Sequence, residues 1–228
     1  MEREIRTTED GSKTLYINDL NENYHSHHGA LQEALHVFIE NGLKLIYCYE
    51  INILELGFGT GLNVLVTIND FLKNDKNHVI NYFTIEKYPV NANEVKELDY
   101  GSFFDNPEIK KIYDVLHNCE WNQKVEILPN FFFTKFQCDF FDLENLSMPK
   151  INLVYYDCFG ARVQPDLWEE RIFGMVSNKM EIGGLLTTYS SKGSVRRILK
   201  ELNFEVVKMA GPPGKREMIN ATKIGPEN

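Results

Sequence analysis

Ile51-Asn-Ile-Leu-Glu-Leu56 runs without a break into Gly57-Phe-Gly-Thr-Gly61. A short apolar run of this kind reads as a buried strand. Three glycines at alternate positions let the backbone turn tightly and approach a ligand closely. Leu62, Leu65, Val66 and Phe71 then share one face, which predicts a helix directly after the loop. Strand, glycine loop and helix form the start of a βα unit, whose ligands lie beyond the carboxyl ends of the strands. The spacing is Gly-x-Gly-x-Gly, whereas a dinucleotide fingerprint needs its third glycine at position 62, which is Leu62. With the acid Glu55 two residues before the first glycine, this form suits S-adenosylmethionine, which has a sulfonium and an ammonium group but no phosphate. Glu55, Gly57, Gly59 and Gly61 are therefore candidate cofactor residues.

The rest of the chain repeats the alternation. Thr14–Ile17 reads as a short strand after the turn signal Asp10-Gly11. A helix opens at Gly29 and stops at Gly42. Val79–Glu86 is a strand ending on an acid, and Pro89 is suited to the first turn of a helix reaching about Leu98. Asn106–Cys119 reads as a helix. Val125–Leu128 and Phe131–Phe136 flank Pro129-Asn130, as in a hairpin or one strand with a turn. Ile151–Asp157 is a further strand ending on an acid. Pro165–Met180 reads as a helix, Gly183-Gly184 precedes a strand Leu185–Tyr189, and Val195–Leu202 is helical. Phe204–Met209 and Arg216–Ala221 close the chain as strands. The pattern predicts a Rossmann-like α/β domain with a mostly parallel, seven-stranded sheet and an antiparallel edge. Residues 1–28 stand outside the βα pattern and read as an N-terminal extension packed on a domain over 29–228.

Composition narrows the setting. Of 228 residues, 43% are hydrophobic, enough for one well-cored domain. No run of 18 apolar residues exists, which argues against a transmembrane helix, and Met1–Asp10 has no apolar core for a signal peptide. Cys48, Cys119, Cys138 and Cys158 are widely spaced with no Cys-x-x-Cys, so neither a disulfide framework nor a zinc site is expected, and a reducing cytoplasm fits. The net charge of −9 argues against indiscriminate nucleic-acid binding. It is uneven, however. Thr187 to Lys223 holds eight Lys/Arg against three acids, a net +5 that leaves −14 for the remainder. That basic stretch, including Lys192, Arg196, Lys215 and Arg216, is compatible with a local nucleic-acid contact and equally with a solvated surface.

Two further strand-end acids point at the same crevice. A carboxylate at Glu86 can accept both hydroxyls of a ribose. Asp157 ends Ile-Asn-Leu-Val-Tyr-Tyr and is followed by Cys158-Phe-Gly160. Methylating an amine needs a neutral nitrogen lone pair, and a carboxylate beside it can orient the amine and take its proton, so Asp157 is the catalytic candidate. Asp139, with Phe140 placed beside the ring, is a candidate acceptor for an adenine amino group, with Asp142 as its competitor.

Several blocks in fixed order give the chain a resemblance. They are Glu55-Leu-Gly-Phe-Gly-Thr-Gly-Leu-Asn63, Ile85-Glu-Lys-Tyr-Pro89, Asp157-x-Phe159 followed by Pro165-Asp-Leu-Trp168, Gly183-Gly-Leu-Leu-Thr-Thr-Tyr189, Val195-Arg-Arg197 and Gly214-Lys-Arg-Glu-Met218. Thr14-Leu-Tyr16 and Tyr24-His-Ser-x-x-Gly29-Ala-x-x-Glu33 also fit. The chain resembles the methyltransferase domain of the bifunctional tRNA 5-methylaminomethyl-2-thiouridine biosynthesis proteins and their stand-alone relatives. The resemblance implies a class I S-adenosylmethionine-dependent methyltransferase fold. It implies methyl transfer to the 5-aminomethyl amine of a wobble uridine, with Asp157 at the catalytic position. It adds Asn63 and Tyr24 to the cofactor set, Glu33 to the pocket lining, and Phe159, Lys192, Arg196, Lys215 and Arg216 to the face for substrate, a tRNA anticodon loop. The family usually has a proline after Asp-x-Phe-x, where this chain has Ala161 and then Arg162. The flavin-dependent oxidase domain of the bifunctional relatives has no counterpart here, so methylation without the preceding oxidation is expected.

Other tempting residues have plainer readings. His25, His27 and His28 are loosely spaced, and no metal is expected. Phe131-Phe-Phe133 and the two tryptophans, Trp121 and Trp168, read as packing residues, with Trp168 also placed to shape a pocket rim. A methyltransferase acting on a small-molecule or protein amine, and a non-catalytic nucleotide- or RNA-binding module, are the alternative functions.

Overall fold

The computed structural model describes residues 2–73 and 78–225, so residues 1, 74–77 and 226–228 lie outside it. The chain opens with a small antiparallel sheet of β1 (Arg3–Thr7), β2 (Lys13–Ile17) and β3 (Glu22–Asn23). Helix α1 (Ala30–Ala34) continues as a π-helical turn over Leu35–Glu40. Then come β4 (Glu50–Leu56), α2 (Leu62–Lys73), β5 (Val79–Ile85), α3 (Ala92–Leu98) and α4 (Pro107–Asn118). The second half holds β6 (Lys124–Leu128), β7 (Phe131–Phe136), β8 (Ile151–Tyr156), α5 (Glu170–Lys179), β9 (Met180–Thr188), α6 (Gly193–Glu201), β10 (Phe204–Ala210) and β11 (Glu217–Lys223).

The main sheet has the order β10-β11-β9-β8-β4-β5-β7-β6. Its centre is parallel, and both edges are antiparallel. It therefore has eight strands where seven were expected. The extra one is β6, which folds back on β7 through Pro129-Asn130, with Asn130 at φ 68°. Side-chain alternation divides the core. Ile51 and Ile53 of β4 pack with α1, α2, α3 and α4, while Leu54 and Leu56 pack with α5 and α6 on the opposite face. Both faces are covered, so the central strands are apolar throughout rather than alternating. The chain leaves β4 toward β5 on one side and later returns through β8 on the other. The switch point, where a crevice opens, is thus between the ends of β4 and β8.

Four element boundaries differ from the sequence reading. Helix α3 begins three residues after Pro89, because Asn91 caps it: its side chain accepts from Asn93 N and Glu94 N, and Glu94 answers with a bond from Asn91 N. The carbonyls of Tyr88 and Pro89 are taken instead by Arg3. The helix predicted over 165–180 is broken. Pro165–Trp168 is a 3-10 turn, Glu169 is extended (φ −103°, ψ 166°), and α5 follows. Gly183-Gly184 lie inside β9 rather than before it. The β8–β9 register shifts there, and a Cβ on Gly184 would sit 2.9 Å from the Ile151 carbonyl oxygen. The helix ending at Gly42 loosens after Ala34 into the π turn. Among the described residues no helix is long and apolar enough to cross a membrane.

Candidate active site

A cavity of about 350 Å³ opens at the carboxyl ends of β4, β5 and β8. Its floor is the glycine loop. Gly57, Gly59 and Gly61 all have positive φ (107°, 49° and 75°), a region that side-chain-bearing residues rarely adopt. Each also stands against a neighbour. A Cβ on Gly57 would be 2.9 Å from the Asp157 carbonyl oxygen, one on Gly59 would be 3.3 Å from the Tyr24 ring, and one on Gly61 would be 2.9 Å from His117 Nε2. Gly57 and Gly59 line the cavity, while Gly61 packs on its far side against α4.

Tyr24, Asn63, Glu86, Asp139, Phe140, Asp157 and Phe159 all reach the same wall. Glu86, just past β5, accepts from Gly59 N (3.0 Å) and Tyr88 N (2.7 Å), so its carboxylate fastens the glycine loop to the second strand. Asp139 accepts from Phe141 N (3.0 Å) at the start of a 3-10 turn and pairs with Lys87 Nζ at 2.7 Å. Burial alone would raise its carboxyl, but Lys87 and that N–H overcome it and hold the group low. Asp142 turns back to accept from Asp139 N, so it caps the turn and does not line the cavity.

Asp157 follows β8 directly. Asn63 Nδ2, on the first turn of α2, donates to Asp157 Oδ2 at 2.7 Å. Burial pushes the carboxyl up to about 7. The Asn63 amide pulls it down, Glu33 pushes it up, and Lys215 pulls it down. Phe159 meets Tyr24 edge-on, with centroids 5.0 Å apart, and its carbonyl accepts from Trp168 Nε1 at 2.7 Å. Tyr189 Oη donates to the Cys158 carbonyl at 2.7 Å. These two bonds fix the loop after Asp157 from outside, with Arg162 paired to Glu22 at 2.7 Å.

Glu55 is a correction. The sequence reading put it among the cofactor contacts, yet it is fully buried and lies beneath the glycine loop, not on the cavity wall. Strand alternation is the reason: Glu55 points with Ile51 and Ile53 toward the α2 face, whereas the cavity lies beyond the strand end. The basic residues also separate. Lys215 Nζ pairs with Glu33 and lies 3.8 Å from the centre of the Tyr189 ring, and Glu33 also accepts from Ser26 N at 2.9 Å. Arg216 is exposed in an adjoining depression with Tyr189, Ser191, Lys215 and Glu217. Lys192 and Arg196, at the start of α6, line neither hollow.

The sequence reading missed Lys87 and His25 on the cavity wall, and Tyr189 beside Lys215. Lys87 directly follows a strand-end acid, a signal that was available. His25 gave none, since its place depends on Thr14 Oγ1 at 3.1 Å from Nδ1 and on enclosure that pushes its imidazole down to about 4. Its neighbours point elsewhere. Glu9, His27 and His28 bring ligand-type atoms within 4.8 Å of one another at the surface, where His28 Nδ1 stands 2.9 Å from the Glu9 carboxyl.

Comparison with known proteins agrees with this geometry. A family described as S-adenosyl-L-methionine-dependent methyltransferases matches residues 112–224. The tRNA 5-methylaminomethyl-2-thiouridine biosynthesis bifunctional protein MnmC of Leptospira borgpetersenii serovar Hardjo-bovis (strain JB197) is 28% identical over 211 residues, 86% of this chain and 31% of that protein. Its counterpart in Burkholderia mallei (strain NCTC 10229) is 31% identical over 214 residues, 86% of this chain and 32% of that protein. The chain thus spans about a third of the length of these curated relatives. The crystal structure of MNMC2 from Aquifex aeolicus superposes with a TM-score of 0.81 at 24% identity, covering 99% of this chain and 71% of that one, and shares the fold. The chain therefore has the class I α/β fold that it shares with MNMC2, and over residues 112–224 it matches the S-adenosyl-L-methionine-dependent methyltransferase family.

Proposed function

We propose that this protein methylates the 5-aminomethyl nitrogen of a tRNA wobble uridine, converting aminomethyl-2-thiouridine to methylaminomethyl-2-thiouridine. The similarity to MnmC proteins supports the substrate. The observation that carries the chemistry is Asp157, a carboxylate on the cavity wall held by Asn63 at 2.7 Å.

The residues present fit the cofactor. Gly57 and Gly59 leave room that a side chain would fill, and Glu86, Asp139 and Phe140 offer carboxylates and an aromatic face for a ribosyl-adenine. Gly57, Gly59, Asn63, Glu86, Asp139, Phe140 and Tyr24 would hold it. When bound, S-adenosylmethionine supplies an electrophilic methyl group on a sulfonium. Asp157 would orient the neutral substrate amine and accept the proton that the nitrogen sheds on methylation. Much of the acceleration comes from holding the two reactants in line. Phe159 and Tyr24 form an aromatic edge at which a flipped base can stack. Lys215 and Arg216, with Lys192 and Arg196 of the same basic stretch, would receive the anticodon phosphates.

The division into an extension over 1–28 and a methyltransferase domain over 29–228 belongs to the same reading: the extension contributes Tyr24 and His25 to the cavity. A cytoplasmic setting, no metal requirement and a tRNA partner complete it. The test is incubation of the purified chain with S-adenosylmethionine and tRNA carrying 5-aminomethyl-2-thiouridine, followed by mass analysis of the wobble nucleoside. A gain of one methyl group there, lost in Asp157→Ala, is expected. Methylation of free amines with none on tRNA would overturn the reading.

A further inference from the structure

Four polar groups are buried together beneath the glycine loop without hydrogen-bond partners: both Glu55 carboxyl oxygens, Tyr82 Oη, Thr84 Oγ1 and Asn63 Oδ1. They come from β4, β5 and the start of α2. Glu55 lies opposite Thr84 across β4–β5 and opposite Tyr155 across β4–β8. Unpaired buried polar groups are costly, so these four are one another's available partners. Asn63 has already committed its amide nitrogen to Asp157. Its oxygen therefore needs a donor.

We propose that Glu55 is a positioning residue: its carboxyl donates to Asn63 Oδ1 and thereby holds the amide that binds Asp157. This rests on the methyl-transfer reading of Asp157. The groups that act on Glu55 are Thr84, Asp157, Asn63 and Tyr82, and none brings a positive charge. A carboxylate there would stand uncompensated and would repel Asp157, so the carboxyl keeps its proton. Burial raises it to about 8. The neutral acid satisfies the whole cluster. Tyr82 and Thr84 donate to its carbonyl side, and its own O–H serves Asn63. An ionised Glu55 would instead attract the Asn63 amide N–H groups and turn them away from Asp157. Loss of turnover on the alkaline side is therefore expected as Glu55 ionises. The groups facing it from β4, β5, β8 and α2 are Thr84, Tyr82, Tyr155, Asn63 and Asp157.

The experiment compares Glu55→Gln with Glu55→Leu, using tRNA carrying 5-aminomethyl-2-thiouridine. Gln donates and accepts at the same places, so kcat should stay within about threefold and the alkaline loss should vanish. Leu removes the donor, so kcat should fall about 10–30-fold, while calorimetric affinity for S-adenosylmethionine moves less than about threefold. A wild-type kcat in Glu55→Leu, or equal damage in both variants, overturns the proposal. So does lost cofactor affinity with kcat intact, which would make Glu55 a cofactor contact. Infrared spectroscopy of the cofactor-free protein gives a readout that needs no turnover. A protonated-carboxyl band at pH 7 should disappear in Glu55→Gln, and an unchanged spectrum overturns the proposal even if Glu55→Leu fails to fold. Full activity in Asp157→Asn would instead sink the methyl-transfer reading. An inactive Asp157→Asn beside a normal Glu55→Leu sinks this proposal alone.

Discussion

Asn63 Nδ2 and Asp157 Oδ2 meet at 2.7 Å across 94 positions of sequence. The amide belongs to the helix after the glycine loop, and the carboxylate to the end of the neighbouring strand. The bond therefore ties the candidate cofactor loop to the candidate base. It also sets the first prediction. Burial holds Asp157 up at about 7, so the base fraction grows as pH rises through that value. Methyl transfer at saturating cofactor should rise about tenfold per pH unit below 7, level off above it, and turn down again near pH 8 as Glu55 ionises. Asp157→Asn should lose about 10²–10⁴ in kcat with S-adenosylmethionine affinity nearly unchanged. Single-turnover rates from pH 5.5 to 8, with calorimetry, would check both.

Trp168 should matter without facing the reactants. Its indole holds the Phe159 carbonyl, and its ring packs edge-on against Tyr189 at 6.0 Å. Trp168→Phe keeps an aromatic ring and loses the bond. A stability loss of about 1–3 kcal/mol is expected, from one hydrogen bond and partial underpacking. kcat/KM for tRNA should fall about five- to tenfold as the Asp157–Gln164 loop loosens. Denaturant titration and steady-state kinetics would measure the two effects.

Acid and base limits on stability should separate by residue. His117, whose Nε2 donates to the Thr60 carbonyl (3.1 Å), is pushed down to about 4 by burial, as is His25. The unfolded chain takes these protons below about pH 6.5 and the native state refuses them, so their stabilisation is lost as pH falls from about 6.5 to 4. Glu55 has the opposite sign. Its raised carboxyl keeps a proton that the unfolded chain has released, so stability falls as pH rises toward 8. Between pH 4.5 and 6.5 the two effects oppose, and the variants separate them. His117→Gln should soften the acid loss and Glu55→Gln the alkaline loss, each by up to about 1.4 kcal/mol per pH unit, leaving the share of Asp157, whose carboxyl, raised to about 7, acts in the same alkaline sense. Urea unfolding at pH 5, 6, 7 and 8 would show the slopes.

Arg216 and Lys215 should behave differently despite being adjacent. Arg216 is exposed, so Arg216→Ala should raise KM for tRNA several-fold at low salt. It should also reduce the salt slope by about 0.7–0.9, one phosphate contact, and leave kcat alone. Lys215 is paired with the buried Glu33 and acts on Asp157. Lys215→Ala should lower kcat as well and shift the acid limb upward, since one positive charge near Asp157 is gone. Salt titration of KM in both variants would distinguish them.

The glycine loop, the two strand-end acids and the βα order were legible because each is a local pattern. Consecutive residues fix turn, strand and helix, and a parallel sheet then has few ways to assemble. Boundaries failed where a distant partner intervened. Arg3 claims the carbonyls before α3, and Trp168 turns back to Phe159, breaking the helix predicted through Pro165. The strand glycines of β9 were read as a turn because the reason for them, the approach of the Ile151 carbonyl, lies in another strand.

By itself the sequence determined a Rossmann-like α/β fold with a glycine loop at residues 57–61, since backbone freedom and apolar periodicity are properties of neighbouring residues. Which acids face the cavity was decided only in three dimensions. Glu55 and Asp157 each belong to the end region of a central strand, yet one falls on the helix-covered face and the other beyond the strand. That difference is a matter of side-chain direction and of what packs above it, and it turns one acid into a buried neighbour of Asn63 and the other into the carboxylate that Asn63 presents to the cavity.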